Sequence, residues 1–476
     1  MTARELPALL PLLVVALTAL AGAAMAAVRR SHTAAALVAG AGLTAALACI
    51  PAALRQAPQQ LTPLLVIDPF GLFWTGLIIA ATLIVVVLAH GCFARRPDPP
   101  VLVYTLLPAA ATGAIAIVCS SHFASLLLGV AVSSVASYGL MAGVTTRPGA
   151  RDASVKYLVL AAASTAVLVL GMALIYARLG TMEFGRMMAL FTSRADFYDP
   201  MLLAGLALLV AGLGFHAAFV PFHPWMPDVY EAAPAPVAAF IETVSKSAVL
   251  ALLIRDFRQS PTEGGSVYLL FTIVAVASLV LGNLLALRQA SLERLLGYAS
   301  IAHTGALLVA FQAGGRAGAE AATFYLTASA VAMLGAFGSV TVLSSGDGPT
   351  RLEDCRGWLR RRPLAGGVMT VMLLSLAGIP LTVGFRGIWL VAGAARSAGI
   401  LPLLMVLVAA SVVGLVAYLR VILVMGRRGP ATPAGAAGAP AAGGLALGLL
   451  TALILGLGVW PVPLVDAIHA IFNGFV

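Results

Sequence analysis

Long apolar runs separated by short polar stretches fill the chain from one end to the other. Each run is continuous rather than alternating between apolar and polar positions, which is typical of a membrane-spanning helix and not of a strand in a membrane barrel. A helix crosses the hydrocarbon core of a bilayer with about 20 apolar residues. The pattern therefore predicts an all-α polytopic membrane protein with about fourteen transmembrane helices. We place these helices at residues 7–27, 33–54, 70–91, 102–119, 122–144, 154–178, 201–222, 236–255, 267–287, 295–313, 320–344, 365–395, 400–426 and 443–472.

Composition indicates that the bilayer, rather than water, is the solvent of this chain. Of its 476 residues, 61% are hydrophobic and 10% are charged, whereas soluble domains carry roughly 25% charged residues. No stretch is polar enough to form a separate soluble domain. We divide the chain into four parts, which are an N-terminal group of three helices (1–100), a core of ten helices (101–426), a flexible small-residue linker (427–442) and a C-terminal helix (443–476).

The formal net charge of +10 is better explained by membrane topology than by a nucleic-acid partner. The basic residues stand singly or in twos and threes between apolar runs, without stacking aromatic residues beside them. Cytoplasmic loops of membrane proteins carry an excess of lysine and arginine. A periplasmic N-terminus assigns 17 basic residues to the cytoplasmic side and 9 to the periplasmic side. We therefore expect a multi-pass protein of a bacterial inner membrane, with both termini and residues 179–200 in the periplasm and residues 345–364 and 427–442 in the cytoplasm.

Two of the predicted spans are interrupted by glycine and proline. The seventh contains Pro221 after a Leu-Gly-Phe-His segment, and the twelfth contains Pro380 after Leu-Ala-Gly-Ile. Interruptions at matching positions of two halves are typical of transporters that are built from inverted repeats, with ion sites at the breaks. The separation by five helices predicts that helices 4–8 and 9–13 form two inverted repeats, with helices 7 and 12 broken.

Few ionisable side chains lie at membrane depth, where each is costly and is therefore a functional candidate. Glu242 and Lys246 stand four residues apart in the eighth span, so they share a helix face and can form an ion pair. A desolvated lysine of this kind can exchange protons, although a pair that merely tolerates burial is the alternative. His216 and His303 suit a proton relay, or else they are hydrogen-bonded packing groups. Arg386 beside the twelfth-span break cannot release its proton, so we consider it an electrostatic gate.

The segment at 221–236 is the most distinctive in the chain. Its prolines hold it extended or turned, and its two carboxylates have no lysine or arginine beside them in the sequence. Its characteristic residues are His223, Trp225, Pro227, Asp228 and Glu231. The sequence shows no metal-ligand spacing among its four cysteines, no phosphate-binding glycine loop and no haem motif. We therefore expect no catalytic, cofactor or metal site in this chain.

Several motifs in combination resemble one known family. They are the 221–236 segment, Val-Ser-Lys-Ser-Ala at 244–248, Arg-Leu-Leu-Gly-Tyr-Ala-Ser-Ile-Ala-His at 294–303 and Ser-Leu-Ala-Gly-Ile-Pro at 375–380. Over about residues 100–425 the chain is similar to subunit N of bacterial NADH:quinone oxidoreductase (complex I), one of its antiporter-like membrane subunits. The resemblance implies a place in the proton-translocating membrane arm, beside other membrane subunits and lipid. It also implies that NADH, FMN, iron–sulfur clusters and quinone are bound by partner subunits.

The chain departs from the family pattern at four charged positions. Ala131 stands where the fifth helix of the family has a glutamate, and His216 replaces a lysine of the seventh. Glu293 replaces a lysine that precedes Arg294, and Ile388 replaces the lysine of the twelfth helix. Only Lys246 of the family's central charged chain is retained. The resemblance therefore implies complex I membership more strongly than it implies proton transfer through this subunit.

Three functions fit these observations. In the first, the chain is a non-catalytic subunit that translocates protons through a rearranged relay, with Glu242 in place of the lost glutamate and His216 in place of a lysine. In the second, it is a scaffold that supports a complex I-type assembly without pumping. In the third, it belongs to a membrane hydrogenase or to a cation/proton antiporter complex.

Overall fold

Twenty helices and one short hairpin make up the part of the chain that is described. A computed structural model describes residues 6–28, 30–94, 96, 98–144, 149–193, 199–257, 266–344, 350–429 and 441–473. The helices are α1 (Leu6–Val28), α2 (His32–Leu54), α3 (Pro69–Phe93), α4 (Val103–Val118), α5 (Phe123–Val144), α6 (Ala150–Leu179), α7 (Phe184–Ser193), α8 (Pro200–Ala217), α9 (Trp225–Ala232), α10 (Ala235–Phe240), α11 (Lys246–Phe257), α12 (Ser266–Arg288), α13 (Leu292–Ala313), α14 (Gly315–Leu343), α15 (Trp358–Arg361), α16 (Pro363–Leu376), α17 (Val383–Ser397), α18 (Leu401–Gly426), α19 (Ala441–Val459) and α20 (Val462–Asn473). A π-helical turn at Ile241–Ser245 joins α10 to α11, and β1 (Gln59–Thr62) pairs antiparallel with β2 (Leu65–Ile67).

The predicted all-α polytopic architecture is confirmed. Within the described ranges, twelve helices are long and apolar enough to cross a membrane, with α10 and α11 counted as one. The shorter α4 and the interrupted pair α16–α17 account for the other two predicted spans.

Three local features differ from the prediction. The segment at 179–200 is not all loop, because α7 lies within it, and the β1–β2 hairpin follows α2. The single last helix predicted at 443–472 is wrong, since the chain forms α19 and α20 with Pro461 between them. Proline lacks the amide hydrogen that a continuous helix needs, and its ring clashes with the preceding turn. Most of the linker predicted at 427–442 lies outside the described residues.

Glycines allow matching helix pairs of the two predicted repeats to pack closely. A Cβ atom on Gly113 of α4 would lie 2.5 Å from the backbone nitrogen of Ser133 in α5. A Cβ atom on Gly282 of α12 would lie 2.6 Å from the backbone nitrogen of Ala302 in α13. Small residues at such crossings let membrane helices approach and pack in van der Waals contact. Helices 4 and 5 of the first repeat therefore meet in the same way as helices 9 and 10 of the second.

Both predicted interruptions are present. The chain leaves the helix at Ala217 and resumes it at Trp225, and it does so again between Leu376 and Val383. Each break holds a non-glycine residue with a positive φ, which is Ala218 in one and Leu381 in the other. Side chains bind amide groups that the breaks release. The amide of Val220 donates to the Ser278 hydroxyl at 3.2 Å, and that of Gly384 donates to Ser375 at 3.2 Å.

The eighth span is the most enclosed of the candidate membrane helices. Within the span Ala235–Asp256, 94% of the most apolar stretch is buried inside the described bundle, compared with 33% for the sixth span, Ala150–Leu179. It packs against α3, α4, α8 and α14. Side chains of this span are therefore held away from lipid, and the span carries Glu242 and Lys246.

Candidate functional site

An ion pair lies inside the bundle on the eighth span. Lys246 Nζ is 3.2 Å from Glu242 Oε1, and only 4% and 7% of the two side chains are exposed. The predicted spacing of four residues therefore does bring the two groups together. Glu242 lies within the π-helical turn at Ile241–Ser245, and Lys246 directly follows that turn. Turns of this kind are rare inside α-helices and occur frequently at functional sites.

Two further side chains complete the hydrogen bonds of this pair. The Tyr230 hydroxyl donates to Glu242 Oε2 at 2.7 Å, and the Ser300 hydroxyl donates to the same oxygen at 2.6 Å. Lys246 in turn donates to the Ser300 hydroxyl and to the Ser300 carbonyl oxygen, the latter at 3.1 Å. A buried ion pair is tolerated only when its remaining polar atoms are satisfied in this way. Sequence analysis missed both partners, although each lies within a segment that carries the family resemblance.

His303 continues the polar contacts from the same helix as Ser300. Its Nδ1 is 2.7 Å from the hydroxyl oxygen of Tyr325, and its Nε2 is 2.9 Å from that of Tyr418. Ser300 and His303 are three residues apart, so they are neighbours on the surface of α13. The neutral ring donates through one nitrogen and accepts through the other. His303 therefore joins α13 to α14 and α18 beside the ion pair.

The two carboxylates of the proline-rich segment do have basic partners, although these are remote in sequence. Arg294 Nη1 is 2.8 Å from Asp228 Oδ1 and 3.1 Å from Glu231 Oε2. Lys156 of α6 forms a salt bridge with the other oxygen of Asp228. Together they form an ion cluster of Asp228, Glu231, Arg294 and Lys156, which is partly exposed. This ion cluster connects α9 to α6 and α13.

Every third position of α13 serves the site, from the ion cluster to the histidine. Arg294 binds the ion cluster, Ser300 binds the ion pair, and His303 binds the two tyrosines. Between them, Gly297 lies against α9, where an added Cβ atom would be 3.2 Å from Pro227 Cα. The motif at 294–303 therefore contacts the ion cluster, α9, the ion pair and the two tyrosines through residues spaced three positions apart on α13.

His216 lies at the end of α8, directly before the break, and is half-buried. Its Nε2 atom is buried and has no hydrogen-bond partner among the described residues, and the same holds for His223 Nδ1. Trp225 closes the break from the other side, since its indole nitrogen donates to the Phe215 carbonyl oxygen at 2.9 Å. Among the described residues, no hydrogen bond or ion pair joins His216 to Glu242 or Lys246.

Two of the family departures lie outside the ion pair's surroundings. Ala131 is exposed on the outer face of α5. Glu293 is fully buried, and both of its carboxylate oxygens accept from the Thr350 amide at 3.0 Å. Glu293 therefore joins the segment after α14 to the start of α13, at a position where the family resemblance predicts a lysine.

At the second break, an apolar side chain lies where the family resemblance predicts a lysine. Ile388 of α17 packs against Gly378, since a Cβ atom on that glycine would lie 2.7 Å from Ile388 Cδ1. Arg386 is exposed, and the described part of the chain does not bring it to the ion pair. The break therefore contains no basic side chain in contact with Lys246.

The site offers hydrogen-bonding and proton-exchanging groups. Within the described ranges, no group of three or more histidine, cysteine or acidic residues could hold a metal ion. The four cysteines are free thiols, and Cys119 and Cys355 are buried. The chemistry that these residues support is the movement of protons along hydrogen bonds.

Comparison with known proteins identifies the family. Residues 120–414 match the model of the family described as NADH:quinone oxidoreductase/Mrp antiporter, TM. NADH-quinone oxidoreductase subunit N of Ectopseudomonas mendocina is 40% identical over 98% of this chain and 97% of its own length. Subunit N of Chromohalobacter salexigens is 41% identical over 99% and 100%. The chain belongs to the subunit N family.

Solved structures show the same fold. A chain of respiratory complex I from Thermus thermophilus, determined with bound aureothin, superposes with a TM-score of 0.83 at 30% identity and covers 96% of this chain and 99% of that one. A chain of the Mrp complex from Dietzia sp. reaches 0.85 at 21% identity, with coverage of 99% and 97%. At that identity the Mrp likeness shows the fold alone, and the family is shown by the subunit N relatives.

Family membership places this subunit N homologue in the bacterial plasma membrane as a multi-pass subunit. It is a membrane-arm subunit of the complex I type, and its partners are the other membrane subunits and the lipid bilayer. These predictions are confirmed.

Proposed function

We propose that this subunit N homologue translocates protons, coupled to redox chemistry elsewhere in the complex, through the pair formed by Glu242 and Lys246. The observation that carries this proposal is a more than nine-tenths buried ion pair that is hydrogen-bonded by Tyr230 and Ser300. A proton that moves from the ammonium to the carboxylate leaves an amine and a carboxylic acid. The network therefore changes its protonation without acquiring a net charge, which is the costly quantity in a low-dielectric interior.

Two histidines extend the proposed path. An imidazole can accept a proton at one nitrogen while it donates from the other. His303 is bonded through both nitrogens and stands one helical turn from Ser300. His216 keeps a buried Nε2 without a partner among the described side chains. Its position directly before the break of the seventh span is the place that the proposed path assigns to it.

Glu242 takes over the role of the glutamate that the family carries on the fifth helix. A carboxylate at position 131 would lie on the outer face of α5, because Ala131 is exposed. Glu242 instead contacts Lys246 directly, from within the same span. The acid and the base of the proposed relay therefore belong to one helix, and their distance does not depend on how two helices pack.

Electrons do not pass through this chain in the proposed function. NADH, FMN, iron–sulfur clusters and quinone are bound by partner subunits, so the chain is a non-catalytic part of the oxidoreductase. Both of its termini lie in the periplasm, as the distribution of basic residues favours. Arg386 is exposed at membrane depth, where a lone arginine is costly in hydrocarbon, and we place it against a neighbouring membrane subunit.

A scaffold role is the second candidate, and one observation favours it. Ile388 packs into the second break where the family has a lysine, so the described residues there offer no basic group to pass the proton onward. A subunit that lacks this step would support its neighbours without pumping. The two functions differ in what the ion pair is for.

The Lys246→Ala variant of the whole complex separates these functions. Proton translocation per two electrons and subunit content are measured in the same inverted membrane vesicles. Translocation predicts a lower proton yield with full assembly. A scaffold predicts that assembly falls first, because the change leaves Glu242 buried without its partner. Full assembly with an unchanged proton yield would reject the relay.

A further inference from the structure

A single short helix lies between the ion cluster and the buried ion pair. Asp228 and Glu231 of α9 bind Arg294 on the outer side. Tyr230, from the same eight-residue helix, is fully buried and donates to Glu242 at 2.7 Å. A displacement of α9 caused at the ion cluster is therefore transmitted to the hydrogen bond on Glu242.

Gly297 of α13 sets the distance between α13 and this short helix. An added Cβ atom would lie 3.2 Å from Pro227 Cα and 3.5 Å from Tyr230 Cδ2. The first distance is shorter than an ordinary van der Waals contact, and the atom it meets belongs to the backbone. Alanine at this position would therefore push α9 away by a few tenths of an ångström, without burying a polar group or opening a cavity.

Arg294 also joins α13 to α9, through the two carboxylates of the ion cluster. One of its terminal nitrogens reaches both carboxylates, and its Nε donates to Gln289 Oε1 at 3.3 Å. A guanidinium is a rigid fork that can make several such bonds at once, whereas an ammonium is a point charge on a flexible stem. Among the described residues, Lys156 forms a salt bridge with Asp228 only, and its side chain is 48% exposed. Arg294, rather than Lys156, is therefore the group that fixes α9.

We propose that Arg294 and Gly297 are positioning residues, which hold α9 so that Tyr230 keeps its hydrogen bond to the proton-exchanging Glu242. This inference rests on the proposed function, because it assigns residues that hold the relay in place and do not themselves transfer a proton. Neither residue exchanges a proton with the pair. They determine whether the carboxylate has three hydrogen-bond donors or two.

A double-mutant cycle tests the coupling between Gly297 and Tyr230 in the assembled complex. We expect Gly297→Ala and Tyr230→Phe each to lower the protons translocated per two electrons. The double variant should fall to the level of Tyr230→Phe and no lower, because the alanine then has no hydrogen bond left to disturb. Gly448→Ala is the matched control, since Gly448 lies in a helix with open space around it. Losses that add, or an unchanged Gly297→Ala, would overturn the inference.

Substitutions at the ion cluster give an independent readout. Arg294→Gln should lower the proton yield, Arg294→Lys should restore part of it, and Lys156→Gln should leave it close to that of the unaltered complex. Equal losses of proton yield for Arg294→Gln and Lys156→Gln would show that only charge matters at the ion cluster, which contradicts the positioning role. If Lys246→Ala lowers the yield while Gly297→Ala and Arg294→Gln do not, this inference alone fails. If Lys246→Ala also has no effect, the proposed function fails.

Discussion

The Ser300 hydroxyl group donates to Glu242 Oε2 across 2.6 Å and accepts from Lys246 at the same time. One oxygen atom therefore bridges both members of the buried ion pair. Ser300 is fully buried, so this bridge is shielded from solvent.

Ser300→Ala should destabilise the subunit by about 1–3 kcal/mol, which is the cost of leaving a buried polar partner unsatisfied. Denaturant unfolding of the purified complex, followed by release of this subunit, measures the loss. Ser339→Ala is the control, since that buried hydroxyl donates only to the Gly335 carbonyl oxygen within its own helix. Equal losses for the two variants would contradict a special contact at Ser300.

Asp68→Asn should destabilise the junction between the N-terminal helices and the core by about 3–5 kcal/mol. Asp68 caps α3 and forms a salt bridge with Arg255, and both side chains are only 8% exposed. Asparagine can still accept the hydrogen bond of the cap, but it leaves the buried Arg255 charge without its carboxylate partner. Retention of the subunit in the membrane under increasing denaturant measures the effect.

Asp199→Asn provides the matched control for this change. Asp199 also caps a helix and pairs with an arginine, Arg178, whose side chain is 40% exposed. The amides of Leu202 and Met201 help to hold the pKa of Asp199 below its usual value, with a further contribution from Arg178. Asparagine can still accept the hydrogen bonds from the backbone amides at the cap, so we expect a much smaller loss of stability than at Asp68. Comparable losses would show that burial does not decide the outcome.

Local sequence signals predicted the spans, the breaks and the ion pair, because each depends on residues close together in the chain. Spacing by four placed Glu242 beside Lys246, and proline marked Pro221 and Pro380 as interruptions. Tyr230 and Ser300 could not be found in this way, since they reach Glu242 from other helices. Their contacts depend on how the helices pack, which periodicity does not specify.

The sequence also did not predict which side chains of a helix are exposed. Arg386 lies beside the break of the twelfth span, and from this position we predicted an electrostatic gate. The small and apolar positions Val383, Gly387 and Val391 form the buried face of α17 instead. Arg386 falls off that face and is exposed. In a lipid-facing bundle, a hydrophobic exterior hides which side of a helix is inward.

Cysteine labelling from either side of the membrane tests the predicted topology. In a variant without the four native cysteines, Arg186→Cys in α7 should react only with periplasmic reagent. Glu353→Cys, after α14, should react only from the cytoplasm, because the basic residues favour that side for its segment. Both positions are exposed. Labelling of position 186 from the cytoplasm would refute the orientation.

Removal of both charges of the ion pair should separate its effect on stability from its role in proton transfer. Glu242→Gln leaves Lys246 as an uncompensated buried charge, so it should destabilise the subunit by about 3–5 kcal/mol. Adding Lys246→Met should recover most of that loss, since an apolar side chain of similar length removes the stranded charge. Translocation should not recover, because neither side chain of the double variant can exchange a proton. Subunit content, unfolding by denaturant and protons per two electrons are measured on the same preparations. A double variant that is stable and still pumps fully would show that protons take another path through the complex.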